Sequence, residues 1–486
     1  MAAPPTVKPT NLSTSGSPSG IVLRLATPTV LAMLAQSAVN EVDIIFFSWL
    51  PCPESSIAQA ALLPSLILLW MFGGSLSAIS VGTQAITARR FAEGKAANAE
   101  GKYTDAGAVL ANSWVFSALA SVAFTVLGYL LIPIALDYII KVQEVRDAAR
   151  SYLNWRLLGI TSMALTFSFK SFFDGIGRTH VHMVASILMN IVNVLLCLAF
   201  IFGKWGAPRM GMAGAGLAGA ASSWFGLVIT VLWAVHARYR TTYKPFDTRR
   251  LDRSIIGDIL KLSVPSAVAT VAVMSGFMLF AMIVSHLDEI SHAVKVSTGC
   301  PGGATEAVNS AATTLIVGIL KLTFTACLAF GTSTATLVSQ SLGEGVPDKA
   351  ERFGWVSVRL GLIIFGVVGL LEGVLLTEPL LHLVTKSEAV FEAALLPMRM
   401  MGIATPLIAV GMILTQALFG AGNTRFVMIV ELVLHFFCLV PLAWLFGITL
   451  GFGLLGIWGA SLVYVVLLTT VMIVKFRSGD WKTIKI

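Results

Sequence analysis

The chain has 486 residues, 56% of them hydrophobic and only 12% charged, with a mean hydropathy of +0.84. Its apolar runs repeatedly exceed the ~20 residues that a helix needs to cross a bilayer, which excludes a soluble globular protein and predicts a polytopic membrane protein. The runs lack two-residue alternation, so a helical bundle is expected rather than an outer-membrane barrel.

In chain order, residues 1–20, rich in Pro, Ser and Thr, read as a disordered cytoplasmic tail. No apolar core with a cleavage site follows the basic positions, so a signal peptide is not expected there. Apolar segments follow near 28–50, 59–86, 106–135, 152–174, 181–203, 212–236, 258–286, 308–338, 355–378, 394–419, 426–447 and 453–475. The predicted fold class is therefore an all-α polytopic membrane protein of twelve transmembrane helices. The expected organisation is an N-terminal six-helix lobe (21–236), a basic cytoplasmic linker (237–257), a C-terminal six-helix lobe (258–475) and a cytoplasmic tail (476–486).

The net charge of +8 raises the question of nucleic acid, and the placement of the charges answers it. With the N-terminus inside, inside loops and tails hold 21 Lys/Arg, outside loops seven, and the spans five: Arg156, Lys170, Lys321, Arg359 and Arg399. This bias predicts that both termini are cytoplasmic and leaves no nucleic-acid surface. Cys197, Cys327 and Cys438 fall in apolar spans as small packing residues. Cys52 and Cys300 fall in outside loops, where an oxidising compartment would permit a disulfide between the two halves.

The first helix carries Gln36, Asn40, Glu41 and Asp43. At about 100° per residue Gln36, Asn40 and Asp43 form one polar stripe, with Glu41 on another face. A carboxylate inside a bilayer costs at least ~2.5 kcal/mol on insertion scales, which marks a functional position unless it is a structural polar cluster between helices. On the fifth helix Ser186, Asn190, Asn193 and Cys197 form a second stripe. At ~1.5 Å per residue Asp43 lies ~22 Å into its helix, and Asn193 and Cys197 lie ~18 and ~24 Å into theirs, so the two stripes meet at one depth. A carboxylate facing carboxamides there holds a proton or a hard cation.

Five short motifs recur in the same order in the two halves. Arg24-Leu-Ala-Thr-Pro28 recurs as Lys261-Leu-Ser-Val-Pro265, and SVGTQAITARRFAEG (80–94) as GTSTATLVSQSLGEG (331–345). Arg156-Leu-Leu-Gly-Ile recurs as Arg399-Met-Met-Gly-Ile, and Gly175-Ile-Gly177-Arg-Thr179 as Gly420-Ala-Gly422-Asn-Thr424. Finally Gly211-Met-Ala-Gly214-Ala recurs as Gly456-Ile-Trp-Gly459-Ala. Six being even, the lobes are parallel repeats about an axis along the membrane normal, the architecture of a carrier with one central cleft. The aligned positions of Glu41 and Asp43 are Met278 and Phe280, which confines that ionisable site to the first lobe.

Other intramembrane charges divide between functional and structural readings. Glu431 and His435, at i and i+4, form either a second proton site or a structural pair. Lys321 is either a counter-ion to a carboxylate in the cleft or a buried tether. Lys170 and Asp174 read as a structural ion pair, and Glu372 as interfacial. Trp70 with Met71, Met274, Met278, Met282 and Met412 line either an adaptable cavity or ordinary packing. No Walker-type loop, HExxH or paired CxxC is present, so neither enzyme chemistry nor ATP-driven transport is expected, and no cofactor.

The NEVD of the first helix, the GTQAITARRFAEG and GTSTATLVSQSLGEG pair, the GxGxT turns and the GxxGA openings resemble the multidrug and toxic compound extrusion (MATE) family across about residues 20 to 478, closer to its DinF-like branch. The resemblance implies a MATE-like fold and a cation-coupled antiporter of the plasma (inner) membrane, and a monomer is expected. It implies export of amphipathic, mostly cationic small molecules in exchange for H⁺ or Na⁺ by alternating access. It further implies that Asp43 is the family's first-helix coupling aspartate, with Na⁺ there as the one possible metal, and that Asn193 is the fifth-helix asparagine beside it. Three positions depart from the pattern. Cys197 stands where DinF-like members carry an aspartate, Gly219 lies near the sixth-helix threonine, and Val273 replaces the NorM-like glutamate; Glu41 is the candidate for the charge lost at Cys197. The alternatives are a flippase of a lipid-linked precursor in the same superfamily, which calls for an arginine-lined cleft, or a metabolite exporter.

Overall fold

The computed structural model describes residues 16–51, 54–96, 103–140, 142–290, 295–297, 305–385 and 387–485, with the side chains of residues 38–41, among others, outside that description. Twelve long helices build it. α1 is Pro18–Ser48, α2 runs over 54–96, α3 is Tyr103–Ile139, α4 runs over 143–175, α5 is His180–Phe202 and α6 is Met212–Val235. α7 is Arg253–Ile290, α8 Val308–Gly343, α9 Pro347–Leu375, α10 Glu388–Gly420, α11 Thr424–Thr449 and α12 Gly453–Ser478. Between α7 and α8 the antiparallel strands β1 (Lys295–Ser297) and β2 (Thr305–Ala307) form a small hairpin, the one β-structure among the described residues.

Among the described residues, eleven helices are long and apolar enough to cross a membrane. α4 completes the twelve and is more polar, because its first half carries Arg146, Asp147, Arg150 and Arg156. It also begins nine residues before the span expected from hydropathy, about two and a half amphipathic turns that an apolar window does not detect. Within α2, α9 and α11, π-helical turns at Trp70–Gly74, Leu371–Leu375, His435–Leu439 and Leu445–Thr449 relax the helix locally. Such turns shift the register of the side chains that follow and recur at functional positions.

The sequence repeat is a structural repeat. α1 packs on α5 and α8, and its counterpart α7 packs on α11 and α2. Gly177 and Gly422 close α4 and α10 in the same left-handed conformation, with φ of 75° and 89°. In each turn the following amide reaches back to close the helix, Arg178 N to Phe173 O at 2.7 Å and Asn423 N to Leu418 O at 2.9 Å. This is the glycine-dependent termination expected at a helix C-terminus, since a Cβ would be strained there.

The two lobes are tied together at the end that carries Arg24, Arg89, Arg178, Lys349 and Arg425, called here the basic end. The paired motifs 80–94 and 331–345 face each other across it. Gln84 Nε2 donates to Thr332 O (3.0 Å) and Thr336 Oγ1 (2.7 Å), and Ser339 Oγ donates to Ala85 O (2.7 Å). Ser333 Oγ reaches Thr29 Oγ1 at 3.1 Å. The contact is close because Gly343 leaves room: a Cβ there would lie 2.4 Å from Arg89 O.

Two of these ties are reciprocal. Gln340 Nε2 donates to Gly175 O (2.7 Å) in the α4–α5 turn, and its counterpart Arg89 donates through Nη2 to Ala421 O (3.4 Å) in the matching α10–α11 turn. Arg89 also donates through Nη1 to Ile484 O (2.7 Å) in the C-terminal tail. That tail is docked by Trp481, which is fully buried and stacked on Phe476 with ring centroids 4.7 Å apart. The cross-lobe side-chain bonds described above all lie at the basic end.

Candidate functional site

Asp43 lies on the last third of α1, buried at 4% exposure, on the seam with α5. There the fifth-helix stripe meets it as its spacing predicts. Cys197 Sγ lies 3.7 Å from Asp43 Oδ1 and 3.9 Å from Asn193 Oδ1, and Asn193 Nδ2 donates to Ser222 Oγ at 3.2 Å. Ser222 Oγ in turn donates to Gly219 O at 3.1 Å. A polar chain thus runs from α1 through α5 into α6. A thiol has one weak proton, so Cys197 serves Asp43 and Asn193 in alternation.

Two residues that the sequence reading did not place in the site complete it. Tyr152 of α4 is 1% exposed and hydrogen-bonded to Arg156. Arg156 is half-buried, with Nη1 3.4 Å from Ser223 Oγ. Its guanidinium lies on Gly219, whose carbonyl accepts from Ser222: a Cβ at 219 would lie 2.9 Å from Arg156 Cζ. The signal was present in the sequence as a lone arginine inside an apolar span. With α4 starting at 143, Arg156 sits about 20 Å along the helix.

Of the other expected residues, Gln36 is half-buried one to two turns earlier on α1 and does not join this chain. Asn190 is half-buried on α5, its Oδ1 shielded from solvent without a partner among the described residues. The side chains of Asn40 and Glu41 lie outside the described residues, as do Cys52 and Cys300.

In the second lobe Glu431 and His435 do form a pair, with Nδ1 3.3 Å from Oε2 and both buried. Tyr464 of α12 donates to the same Oε2 at 3.0 Å. His435 Nδ1 lies closer still, 2.9 Å, to the Glu431 backbone carbonyl, and its Nε2 is buried with no partner among the described residues. Lys321 is half-buried on α8, two residues before Thr323. Thr323 Oγ1 donates to Glu372 Oε1 at 2.5 Å, and Glu372 Oε2 is buried without a partner among the described residues. Glu372 is half-buried within the π turn Leu371–Leu375 and is bonded to α8. Lys170 and Asp174 form a buried ion pair at 2.6 Å, as their spacing predicts. Trp70, Met71, Met274, Met278 and Met282 are 44–57% exposed, so none of the five is core packing, whereas Met412 is half-buried.

Comparison with known proteins places this arrangement. The MatE family model matches residues 28–199 and 303–445. A "Probable multidrug resistance protein NorM" of Thermotoga maritima is 25% identical over 351 residues, covering 70% of this chain and 68% of that protein. A protein of the same description from Caulobacter vibrioides is 24% identical over 465 residues, covering 95% and 92%. Among solved structures, the outward-facing conformation of a multidrug resistance MATE family transporter of the MOP superfamily superposes with a TM-score of 0.81 at 21% identity, covering 95% of this chain and 96% of that one. These relatives carry the NorM name, and nothing in them supports a DinF-like placement. The chain belongs to the MatE family of efflux transporters.

Proposed function

We propose that this protein is a secondary antiporter that exports amphipathic, mostly cationic compounds in exchange for H⁺ or Na⁺. The observation that carries the reading is the buried Asp43–Cys197–Asn193–Ser222 chain, which links three helices of one lobe in a bundle tied across its lobes at the basic end. Multidrug relatives support the cargo class, and the exposed Trp70 and Met71, Met274, Met278 and Met282 suit a surface that adapts to varied apolar shapes.

The basic end is cytoplasmic in this reading, both termini lie inside, and the protein works as a monomer in the inner membrane. The structure then corresponds to a carrier closed to the cytoplasm. Ion binding at Asp43 rearranges the polar contacts among α1, α5 and α6 and favours drug release, and the ion-loaded carrier resets. Coupling requires that ion and drug prefer opposite states. A lipid-linked precursor flippase would need several arginines free to line a cleft, yet of the three intramembrane arginines Arg156 is engaged by Tyr152 and Ser223 and Arg399 by Glu378, which leaves Arg359.

The test is ethidium export from cells expressing wild type or Asp43→Asn, with a pH jump and a Na⁺ jump applied separately. Export by wild type on one jump, lost in Asp43→Asn at equal expression, is the expected result. Failure of wild type to move dye on either jump removes the multidrug reading.

A further inference from the structure

We propose that the C-terminal segment 479–484 is a latch on the basic end: it is anchored on the second lobe, grips the first lobe through Arg89, and releases that grip in every transport cycle. The inference rests on the antiporter reading and adds a gate at the end which that reading calls cytoplasmic.

The anchor on the second lobe is built from the segment's own chemistry. Gly479 ends α12 in the left-handed conformation, with φ of 75°, and the chain folds back so that Trp481 Nε1 donates to Phe476 O at 2.8 Å. Phe476 also meets Trp355 of α9 edge-on, and a Cβ at Gly354 would collide with its ring, so the stacked pair is wedged between α12 and α9. Lys482 Nζ then pairs with Asp348 Oδ1 at 3.0 Å and Glu351 Oε2 at 2.6 Å at the start of α9. A buried indole and a lysine shared by two carboxylates hold the segment to this lobe.

The hold on the first lobe is of another kind. It is the bond from Arg89 Nη1 to Ile484 O at 2.7 Å, made by a side chain only 7% exposed. The same guanidinium reaches Ala421 O through Nη2 at 3.4 Å, so one arginine of α2 joins the segment and the α10–α11 turn. Ile484 packs on the apolar cluster in which Val22 and Leu25 of α1 meet Phe419 and Val427 of the second lobe. A hydrogen bond from a charged donor is strong while it is shielded, and water replaces it at both ends once the lobes part. The anchor, which buries a whole indole, stays. Opening of the basic end therefore separates Arg89 from Ile484 and leaves Trp481 in place.

The repeat does not itself require such a crossing. The segment that follows α6 is bonded to α3 of its own lobe: Asn112 Nδ2 donates to Arg250 O (3.0 Å), Trp114 Nε1 donates to Pro245 O (3.3 Å), and Asn112 Oδ1 accepts from Asp252 N (2.8 Å).

The experiment uses the full-length carrier in liposomes with ethidium as cargo. In Arg89→Cys with Ile484→Cys, a bis-methanethiosulfonate reagent ties the segment to α2 in place of the native bond. The bridge should stop ethidium transport and a thiol reductant should restore it, while each single-cysteine variant treated alike keeps transporting. In a parallel arm, Lys482→Glu sets a carboxylate against Asp348 and Glu351 and should unseat the segment. Spin-label distances across the basic end should then show the open fraction raised about tenfold, whereas Lys485→Glu, at an exposed position beyond the latch, should leave it unchanged. Two results overturn the proposal: undiminished transport by a carrier whose linked peptide is found by mass, or an unchanged open fraction in Lys482→Glu. Failure of wild type to move ethidium would refute the antiporter reading instead, and the distances in Lys482→Glu would still decide the latch.

Discussion

Arg156 and Arg399 hold the same place in the two repeats, each opening an Arg-x-x-Gly-Ile motif, and they meet different surroundings. In the first lobe a glycine on the sixth helix leaves a space, and the arginine fills it. In the second lobe a tyrosine stands at that position, and the arginine pairs with Glu378. The carboxylates diverge in the same way. Asp43 has Phe280 as its counterpart, whereas Glu431 and His435 stand where the first lobe has Ser186 and Asn190. Duplication thus preserved the scaffold while single positions redistributed the charge, which is what a carrier needs if one lobe carries coupling and the other supports it.

The largest expected effect is on stability and tests a difference at the ends of α4 and α10. Lys170 and Asp174 form a buried ion pair where the matching residues of the second lobe are Thr415 and Phe419. Lys170→Thr strands a buried carboxylate, whose Oδ1 already lacks a partner among the described residues, and should cost about 3–5 kcal/mol. Lys170→Thr with Asp174→Phe, which copies the second lobe, should recover most of it. Unfolding in detergent measures both.

Next, Asp43→Asn should lower ion-driven ethidium export by about a hundredfold, and Glu431→Gln by much less. Equal losses in the two variants would remove the asymmetry between the lobes.

The reciprocal ties at the basic end come third. Arg89→Ala removes charged hydrogen bonds to two carbonyls and should favour opening by about 2 kcal/mol, whereas Gln340→Ala should do so by about 1 kcal/mol. Spin-label distances across the basic end report the shift. If Gln340→Ala opens the carrier more than Arg89→Ala, the C-terminal tail that Arg89 holds is not part of the closure.

Tyr464→Phe should destabilise by about 1–2 kcal/mol, because Glu431 loses a hydroxyl donor. Arg399→Gln should be the smallest change, below about 1 kcal/mol, since its ion pair is half-exposed. A loss of transport in Arg399→Gln comparable to that of an Arg156 variant would mean that the two arginines are equivalent after all.

The sequence by itself determined the elements that depend on local chemistry. Runs of twenty or more apolar residues specify membrane helices, the five recurring motifs specify a two-fold repeat, and helical periodicity alone set Asp43 opposite Asn193 and Cys197. The GxGxT motifs likewise specify left-handed helix ends, because only glycine adopts that conformation without strain. Tertiary structure decided whatever depends on contacts between distant segments. The polar start of α4 is registered by no hydropathy window, and the place of the Arg156 guanidinium required the missing side chain of Gly219 some sixty residues later. The bond from Thr323 to Glu372 required α8 and α9 to pack, and the grip of Arg89 and Gln340 on opposite turns required the lobes to meet. Periodicity states which face of a helix a residue occupies, but the partner of that face is chosen only when the helices pack.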